Sequence, residues 1–242
     1  MTINQPLVSI IIPALNEEAR LARTLIACIE FLQQQDYASE LLVVTDGSTD
    51  RTQEVAESFV SSFPNLRVLS FPYNRGKGFA VKKGMFEAKG AYKLFMDADY
   101  AVSMDFFPSF LKQIQSGYDI VFASRTQKGA KVSRRQPLHR HCLGFVFRRL
   151  QKTVLRFPFL DTQCGFKLFT AESAAILFPR VTFDCAYFDA ELLYLAYKLK
   201  MKIYEHAVTW HHHPDSHLSI GPKRTMEILG QLFSIAKIHA ND

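Results

Sequence analysis

The feature that most constrains the fold is a regular alternation of short apolar runs with amphipathic stretches. The apolar runs, which are typical of buried strands, fall at residues 7–13, 41–44, 66–71 and 94–96. Helices are predicted between them, at residues 16–32, 52–63 and 80–89. Alternation at about 25–30 residues per unit is typical of parallel sheets with crossover helices. We therefore predict a Rossmann-like, three-layer α/β/α fold around a mainly parallel central sheet.

The second half of the chain continues with further helices and strands. Helices are predicted at residues 104–114, 138–157, 171–178, around 188–193 and at 222–239, with strands at 118–123 and 202–210. Residues 126–136 are polar and contain a glycine, so they are predicted to form a loop. The chain has 242 residues, of which 48% are hydrophobic, enough for one large domain or two small ones. We predict a single domain over residues 1–242.

Three predicted strand ends carry residues that would meet at one edge of a parallel sheet. They are residues 13–17, residues 46–48 and the sequence Asp97-Ala98-Asp99. Ligands of open α/β sheets bind beyond the carboxyl ends of the strands. Asp97 and Asp99 point to one side of the sheet if the strand continues through them. Since two neighbouring carboxylates favour a hard divalent cation, the sequence predicts Mg²⁺ or Mn²⁺ at this pair.

The positive charge of the chain is concentrated in one stretch. Residues 120–160, called here the basic segment, contain no Asp or Glu. Their ten cationic residues exceed the net charge of +6 of the whole chain. They are Arg125, Lys128, Lys131, Arg134, Arg135, Arg140, Arg148, Arg149, Lys152 and Arg156. Charge this local predicts a surface for an anionic partner. The apolar side of the helix within it, residues 143–157, is expected either to enter a membrane interface or to pack on the core.

The cysteines and the N-terminal residues indicate the cellular compartment of the protein. Cys28, Cys142, Cys164 and Cys185 have neither metal-ligand spacing nor the pattern of a disulfide framework, so we predict reduced cytosolic thiols. The N-terminal residues lack the basic region of a signal peptide. No apolar run approaches the length of about 18 residues that a membrane span needs. We expect a soluble or peripheral protein.

These residues resemble the family 2 nucleotide-sugar glycosyltransferases of GT-A fold, from Val8 to about Leu218. The resemblance rests on residues 8–18, on Asp46-Gly47-Ser48-Thr49-Asp50 and on Asp97-Ala98-Asp99. Within the family, the chain is similar to the dolichyl-phosphate β-glucosyltransferases and their bacterial polyprenyl-phosphate relatives. That closer similarity rests on residues 74–78, 124–125, 188–194 and, above all, 161–169.

The resemblance implies roles for residues on the donor side. Glu17 would accept hydrogen bonds from the ribose hydroxyls, and Asp46 would accept them from the base. Asp97 and Asp99 would place the divalent ion on the diphosphate, and Lys77 would add positive charge there. The other implied donor-side residues are Pro13, Leu15, Val44, Ala98, Arg125, His211 and His217. The two histidines stand where relatives carry basic side chains.

The resemblance also implies a donor and an acceptor. The donor would be UDP-glucose, with GDP-mannose and UDP-N-acetylglucosamine as alternatives. The acceptor would be a polyprenyl phosphate, which is already anionic at neutral pH because its second pKa is about 6. Such an acceptor needs cations more than a base. The cations predicted to hold it are Arg125, Arg134 and Arg135, and Gln163 is also predicted to bind the acceptor. A sugar hydroxyl would instead need a base, for which Asp189 is the candidate. The other interpretation of Asp189 is a structural acid near a helix start.

The resemblance divides the domain into two functional halves. Residues 1–125 would bind the nucleotide sugar, and residues 126–242 would bind the acceptor with the basic loop and helix. We expect the protein to act at an anionic membrane surface on the cytoplasmic face, with a homodimer open as an alternative to a monomer. Nucleic-acid binding is disfavoured, because the basic loop lacks spaced aromatic residues for stacking and the acids at the strand ends would repel phosphate without a metal.

Overall fold

The computed structural model describes residues 5–133, 138–211 and 222–240, which form a sheet covered by helices on both faces. The strands are β1 (Val8–Ala14), β2 (Ser39–Asp46), β3 (Leu66–Phe71), β4 (Tyr92–Met96), β5 (Ile120–Ser124), β6 (Lys131–Val132), β7 (Phe166–Thr170), β8 (Ile203–Ala207) and β9 (Thr209–Trp210). The helices are α1 (Leu21–Gln33), α2 (Thr52–Ser58), α3 (Lys77–Glu87), α4 (Phe107–Gln115), α5 (Leu138–Leu155), α6 (Ala171–Leu177), α7 (Phe188–Lys198) and α8 (Pro222–Ile238). A 3₁₀ turn (Met104–Phe106) leads into α4.

The main sheet has seven strands in the described part of the chain, in the order β3-β2-β1-β4-β7-β5-β8. Its pairs are parallel except those of β7, which is antiparallel to both β4 and β5. The predicted mainly parallel sheet is therefore confirmed. The sequence does not predict β7, because Lys167 interrupts its apolar run and helix signals follow directly.

Alternate residues of the central strands feed two separate cores. Ile10 and Ile12 of β1 pack with residues of α1 and α4 on one face. Ile11, between them, packs with residues of α3, α6 and α7 on the other face. All three isoleucines are fully buried. A strand buried on both faces explains why this run is continuously apolar, and the two cores give the predicted three layers.

The loop after β1 differs from the prediction. The helix predicted from residue 16 begins only at Leu21, and Asn16 has a left-handed backbone with φ 54°. The Asn16 side-chain oxygen accepts a hydrogen bond from the Thr49 N–H at 2.8 Å, and the Asn16 N–H donates to the Ser48 hydroxyl at 3.1 Å. Asn16 therefore ties the loop after β1 to the loop after β2.

The start of α3 also differs from the prediction. The helix predicted from residue 80 begins earlier, at Lys77, with Gly76 as its N-cap at φ 115°. The Gly78 N–H donates to the Asp184 carbonyl at 2.8 Å. A Cβ on Gly76 would lie 2.3 Å from that same carbonyl oxygen, so only glycine fits here. The first turn of α3 is thus held against the segment that precedes α7.

Two predictions in the basic segment and beyond it are revised. The strand expected at residues 202–210 is divided, with β8 in the main sheet and β9 paired with β6 inside the predicted loop. Leu155 and Phe157 are buried in the core, so this end of the apolar stripe packs on the protein. Within the described residues, none of the helices is both long enough and apolar enough for a membrane crossing.

Candidate active site

A cleft of about 530 Å³ lies at the carboxyl ends of β1, β2 and β4, beside the first turn of α3. The predicted residues that line it are Pro13, Leu15, Glu17, Asp46, Lys77, Asp97, Ala98, Asp99, Arg125 and Gln163. Of the predicted residues within the described ranges, three do not line the cleft: Val44, Asp189 and His211. Arg134, Arg135 and His217 lie outside the described residues.

Asp97 and Asp99 follow β4 rather than belonging to it. A turn at residues 98–99, not strand alternation, therefore sets the directions of the two carboxylates. The Asp97 N–H donates to the Gly165 carbonyl at 3.0 Å, and a Cβ on Gly165 would lie 2.0 Å from Asp97 Oδ2. Asp99 Oδ1 accepts a hydrogen bond from the Ala101 N–H at 3.1 Å. The absent side chain of Gly165 leaves the space that the Asp97 carboxylate occupies.

The carboxylates of Asp97 and Asp99 are ligands of the kind that Mg²⁺ and Mn²⁺ take. Among the described residues, no group of three or more His, Cys, Asp or Glu side chains is placed to hold a metal ion. Within the described part of the chain, the two carboxylates therefore need a bound anion or water to supply the other oxygen ligands of such an ion. A phosphate-bearing ligand in the cleft would supply such oxygens.

Four alternating charges run from the cleft into the core, and we call them the charge chain: Asp97, Lys77, Asp189 and Lys167. Lys77 Nζ lies 2.6 Å from Asp97 Oδ1 and 3.8 Å from Asp189 Oδ2. Asp189 Oδ1 accepts from Lys167 Nζ at 2.5 Å, and Lys167 also donates to the Cys164 carbonyl at 2.8 Å. Asp189 is 1% exposed and Lys167 is fully buried. Lys167 is not among the predicted site residues, and its signals in the sequence are its place within residues 161–169 and a lysine inside an apolar run.

Burial and the neighbouring charges oppose each other in the charge chain. It raises the pKa of Asp189 above its ordinary value, although Lys167 and Lys77 pull that pKa down. At Lys77 burial disfavours the ammonium, but Asp97 and Asp189 more than compensate and raise its pKa. Lys77 is therefore positively charged at neutral pH.

Arg125 follows β5 and is held by Asp161. Its Nε and Nη2 donate to the two Asp161 oxygens at 2.8 and 2.6 Å, and its backbone N–H donates to Asp161 Oδ2 at 2.7 Å. Burial opposes the Asp161 charge, but Arg125 outweighs burial and lowers the pKa of Asp161. The guanidinium also lies 5.2 Å from the Trp210 ring centroid. Arg125 thus presents a fixed cation at the cleft.

Arg20 lines the cleft but is not among the predicted residues. Its Nε and Nη2 donate to the two Glu17 carboxylate oxygens at 2.8 and 2.6 Å. Its Nη1 is buried and has no hydrogen-bond partner in the described part of the chain. Arg20 fixes the direction of the Glu17 carboxylate, and the N–H groups of its Nη1 remain as donors for a ligand. The only signal for this pair in the sequence is its i, i+3 spacing, just before the start of α1.

The other predicted donor-side residues occupy different surroundings. The Asp46 carboxylate accepts hydrogen bonds from the Arg75 N–H at 3.0 Å and the Gly76 N–H at 2.6 Å, so it also shapes the turn before α3. Val44 is fully buried in the core, because it faces inward from the central strand β2. His211 is exposed, and its backbone N–H donates to the Ala101 carbonyl at 2.8 Å.

Comparison with known proteins identifies the family of the chain. The profile described as Glycosyl transferase family 2 matches residues 9–177. A dolichyl-phosphate beta-glucosyltransferase of Trichomonas vaginalis is 36% identical over 229 residues, which are 90% of this chain and 68% of that protein. The Dictyostelium discoideum dolichyl-phosphate beta-glucosyltransferase is 37% identical over 215 residues. There the match covers 84% of this chain and 65% of the relative, so the chain spans about two thirds of these proteins.

Solved structures of glucosyl-3-phosphoglycerate synthase from Mycobacterium tuberculosis have the same fold. The complex with Mn²⁺, UDP and glucosyl-3-phosphoglycerate has a TM-score of 0.67 at 19% identity, over 96% of this chain and 80% of that one. The complex with Mg²⁺ and UDP has a TM-score of 0.68 at 20% identity, over 96% and 79%. The predicted GT-A fold is confirmed by this likeness.

Proposed function

The chain belongs to glycosyl transferase family 2 and is a glycosyltransferase, and we propose that it transfers glucose from UDP-glucose to the phosphate of a polyprenyl lipid such as dolichyl phosphate. The observation that carries the proposal is the composition of the cleft. Two carboxylates suited to a divalent ion, Asp97 and Asp99, share it with the cations Lys77 and Arg125. The names of the relatives at 36–37% identity support the glucosyl group and the dolichyl phosphate.

The donor would lie along the carboxyl edge of the sheet. In this proposal, Pro13, Leu15 and Glu17 border the nucleoside, and Asp46 accepts from the base. Asp97 and Asp99 would hold Mg²⁺ or Mn²⁺, which neutralises charge on a leaving diphosphate. Both ions accompany UDP in structures of the mycobacterial synthase, which supports this choice.

The reaction we propose is a single displacement with inversion. A phosphate oxygen of the acceptor attacks the anomeric carbon of glucose and forms the new carbon–oxygen bond. The bond between that carbon and the β-phosphate oxygen of UDP breaks, and UDP leaves with the electron pair. The attacking phosphate is already anionic at neutral pH, so no proton has to be removed from it. Arg125, Arg134, Arg135 and Gln163 are the residues we assign to the acceptor.

The burial of Asp189 favours a phosphate acceptor over a hydroxyl. A general base must come within hydrogen-bond reach of the proton it removes. Asp189 is 1% exposed, does not line the cleft and is paired with Lys167. A hydroxyl acceptor that depends on Asp189 is therefore the weaker alternative.

The test is an assay of three donors against one acceptor. UDP-glucose, GDP-mannose and UDP-N-acetylglucosamine are each incubated with a short polyprenyl phosphate, with Mn²⁺ or with a chelator. We expect a glucosyl lipid from UDP-glucose, formed only with the metal. Product from another donor would correct the sugar, and transfer only to a sugar hydroxyl would contradict the acceptor.

We place the reaction at a membrane surface on the cytoplasmic side, since the acceptor is a lipid. Lys128, Lys131 and Lys152 of the basic segment are exposed and would meet anionic headgroups. The partly buried Leu150 and Val154 face the protein core, so electrostatic attraction carries the membrane contact in this proposal.

A further inference from the structure

The charge chain joins four separate elements at one point. Asp97 follows β4, Lys77 opens α3, Asp189 lies in the first turn of α7 and Lys167 lies in β7. Lys77 contacts both carboxylates, at 2.6 Å from Asp97 and 3.8 Å from Asp189. It lines the cleft and Asp189 does not, so Lys77 stands between Asp189 and any ligand.

From this geometry we infer that Asp189 is a positioning residue that acts through Lys77, and that the buried Lys167–Asp189 pair holds the Lys77 ammonium for the donor diphosphate. The inference rests on the proposed donor, a nucleoside diphosphate sugar. It replaces the role of base for Asp189, because Lys77 lines the cleft and the Asp189 carboxylate does not.

Lys167 is needed for this role because a buried carboxylate cannot keep its charge alone. Burial of an unpaired carboxylate favours its neutral form. Lys167, itself fully buried, places a positive charge 2.5 Å from Asp189 Oδ1. The second oxygen, Oδ2, is buried without a hydrogen-bond partner among the described residues and lies on the side of Lys77. One oxygen therefore anchors the carboxylate, and the other attracts Lys77.

The backbone of Lys77 is held as firmly as its side chain. The Gly78 and Phe79 N–H groups donate to the Asp184 carbonyl at 2.8 and 3.3 Å. A Cβ on Gly78 would lie 2.4 Å from the Phe183 carbonyl oxygen, so α3 docks closely on the segment before α7. The ammonium is thus placed near the diphosphate in advance, and only the Lys77 side chain has to move when the donor binds.

Because Lys77 contacts two carboxylates, it can exchange one of them for a ligand and keep the other. When an anionic donor enters, Lys77 turns from Asp97 to the diphosphate while Asp189 continues to hold it. Asp97 is then released for the divalent ion. Without Asp189, Lys77 would remain paired with Asp97 alone, and the donor would compete with that pair.

The test measures UDP binding by calorimetry in the presence of Mn²⁺, for the wild type, Asp189→Asn, Lys77→Met and the double variant. We expect Asp189→Asn to weaken UDP binding about tenfold, equivalent to about 1.4 kcal/mol. We expect no further loss when Asp189→Asn is added to Lys77→Met, because both act through one ammonium. Lys83→Met, on the same helix but outside the cleft lining, should bind UDP like the wild type.

Two outcomes would overturn the inference. One is unchanged UDP affinity in Asp189→Asn with a lower turnover, which is the signature of a base. The other is a loss in the double variant equal to the sum of the single losses. Lys167→Arg should retain more UDP affinity than Lys167→Met, and melting temperatures separate this effect from unfolding. A wild type that binds no UDP would instead contradict the proposed donor, so the two failures are distinct.

Discussion

Gly165 shows at the residue scale how a missing side chain shapes a charged site. A Cβ there would lie 2.0 and 2.4 Å from the two Asp97 carboxylate oxygens. We expect Gly165→Ala to displace Asp97 and to weaken Mn²⁺-dependent UDP binding at least tenfold, while the fold is retained. Calorimetry and a melting curve measure the two effects. Gly230→Ala is the control, because nothing lies within 4 Å of its added Cβ. Wild-type affinity in Gly165→Ala would contradict a role for Asp97.

Arg20 is the second residue whose change tests the donor side. Its bidentate bond directs Glu17, and its buried Nη1 has donors for a ligand oxygen. Since a buried donor without a partner is costly, an incoming acceptor would be favoured there. We expect Arg20→Ala to weaken UDP binding by about tenfold, a loss of about 1.4 kcal/mol. Arg23→Ala, at an exposed position of α1, should leave UDP binding unchanged. Equal effects of both changes would point to net charge rather than to the Glu17 contact.

At the scale of elements, β7 brings the second half of the chain to the donor side. It pairs with β4 and β5, and the residues around its start include Gly165 beside Asp97 and Lys167 beside Asp189. The loop before it also carries Asp161, which holds Arg125 at the end of β5. An antiparallel strand inside a parallel sheet therefore connects the donor and acceptor residues.

The Asp161–Arg125 pair makes stability depend on pH in a defined direction. Asp161 has a lowered pKa in the folded state, so its contribution is present above the ordinary value of 3.8 and is lost as the pH falls below it. We expect Asp161→Asn to cost about 3 kcal/mol at neutral pH, since it leaves a partly buried guanidinium unpaired. Urea unfolding at pH 7 and pH 3 should show this difference shrinking in acid. A constant difference, or an equal effect of the exposed Asp36→Asn, would contradict the assignment.

At the scale of the whole molecule, charge is distributed unevenly. The basic segment carries ten cations without a carboxylate, whereas the remainder is net negative. Exposed lysines such as Lys128, Lys131 and Lys152 can therefore attract an anionic surface without nearby acids of the same segment.

We expect the whole chain to sediment with vesicles that contain phosphatidylglycerol, and to be released by high salt because the attraction is electrostatic. The triple change of Lys128, Lys131 and Lys152 to Gln should weaken this binding by about 3 kcal/mol, at about 1 kcal/mol for each cation. The matched triple change of Lys89, Lys112 and Lys202, exposed outside the basic segment, should have a smaller effect. Equal loss in both variants would argue against a directed membrane face.

The class of fold and the edge of the sheet where the cleft lies could both be predicted from the sequence. Both follow from local rules, because periodicity distinguishes strands from helices and parallel strands end at one edge. Asp97 and Asp99 could be selected in this way, since they stand at the end of a predicted strand, whereas Lys77 and Arg125 were indicated by the family resemblance.

Only the tertiary structure decided which residues surround those carboxylates. Lys167 pairs with an acid 22 positions away, and its run resembles an interrupted strand until the packing is known. Gly165 matters because of a contact with Asp97, and Val44 is buried because its strand is central. Contacts between distant residues depend on how the elements pack, and local pattern carries no information about that packing.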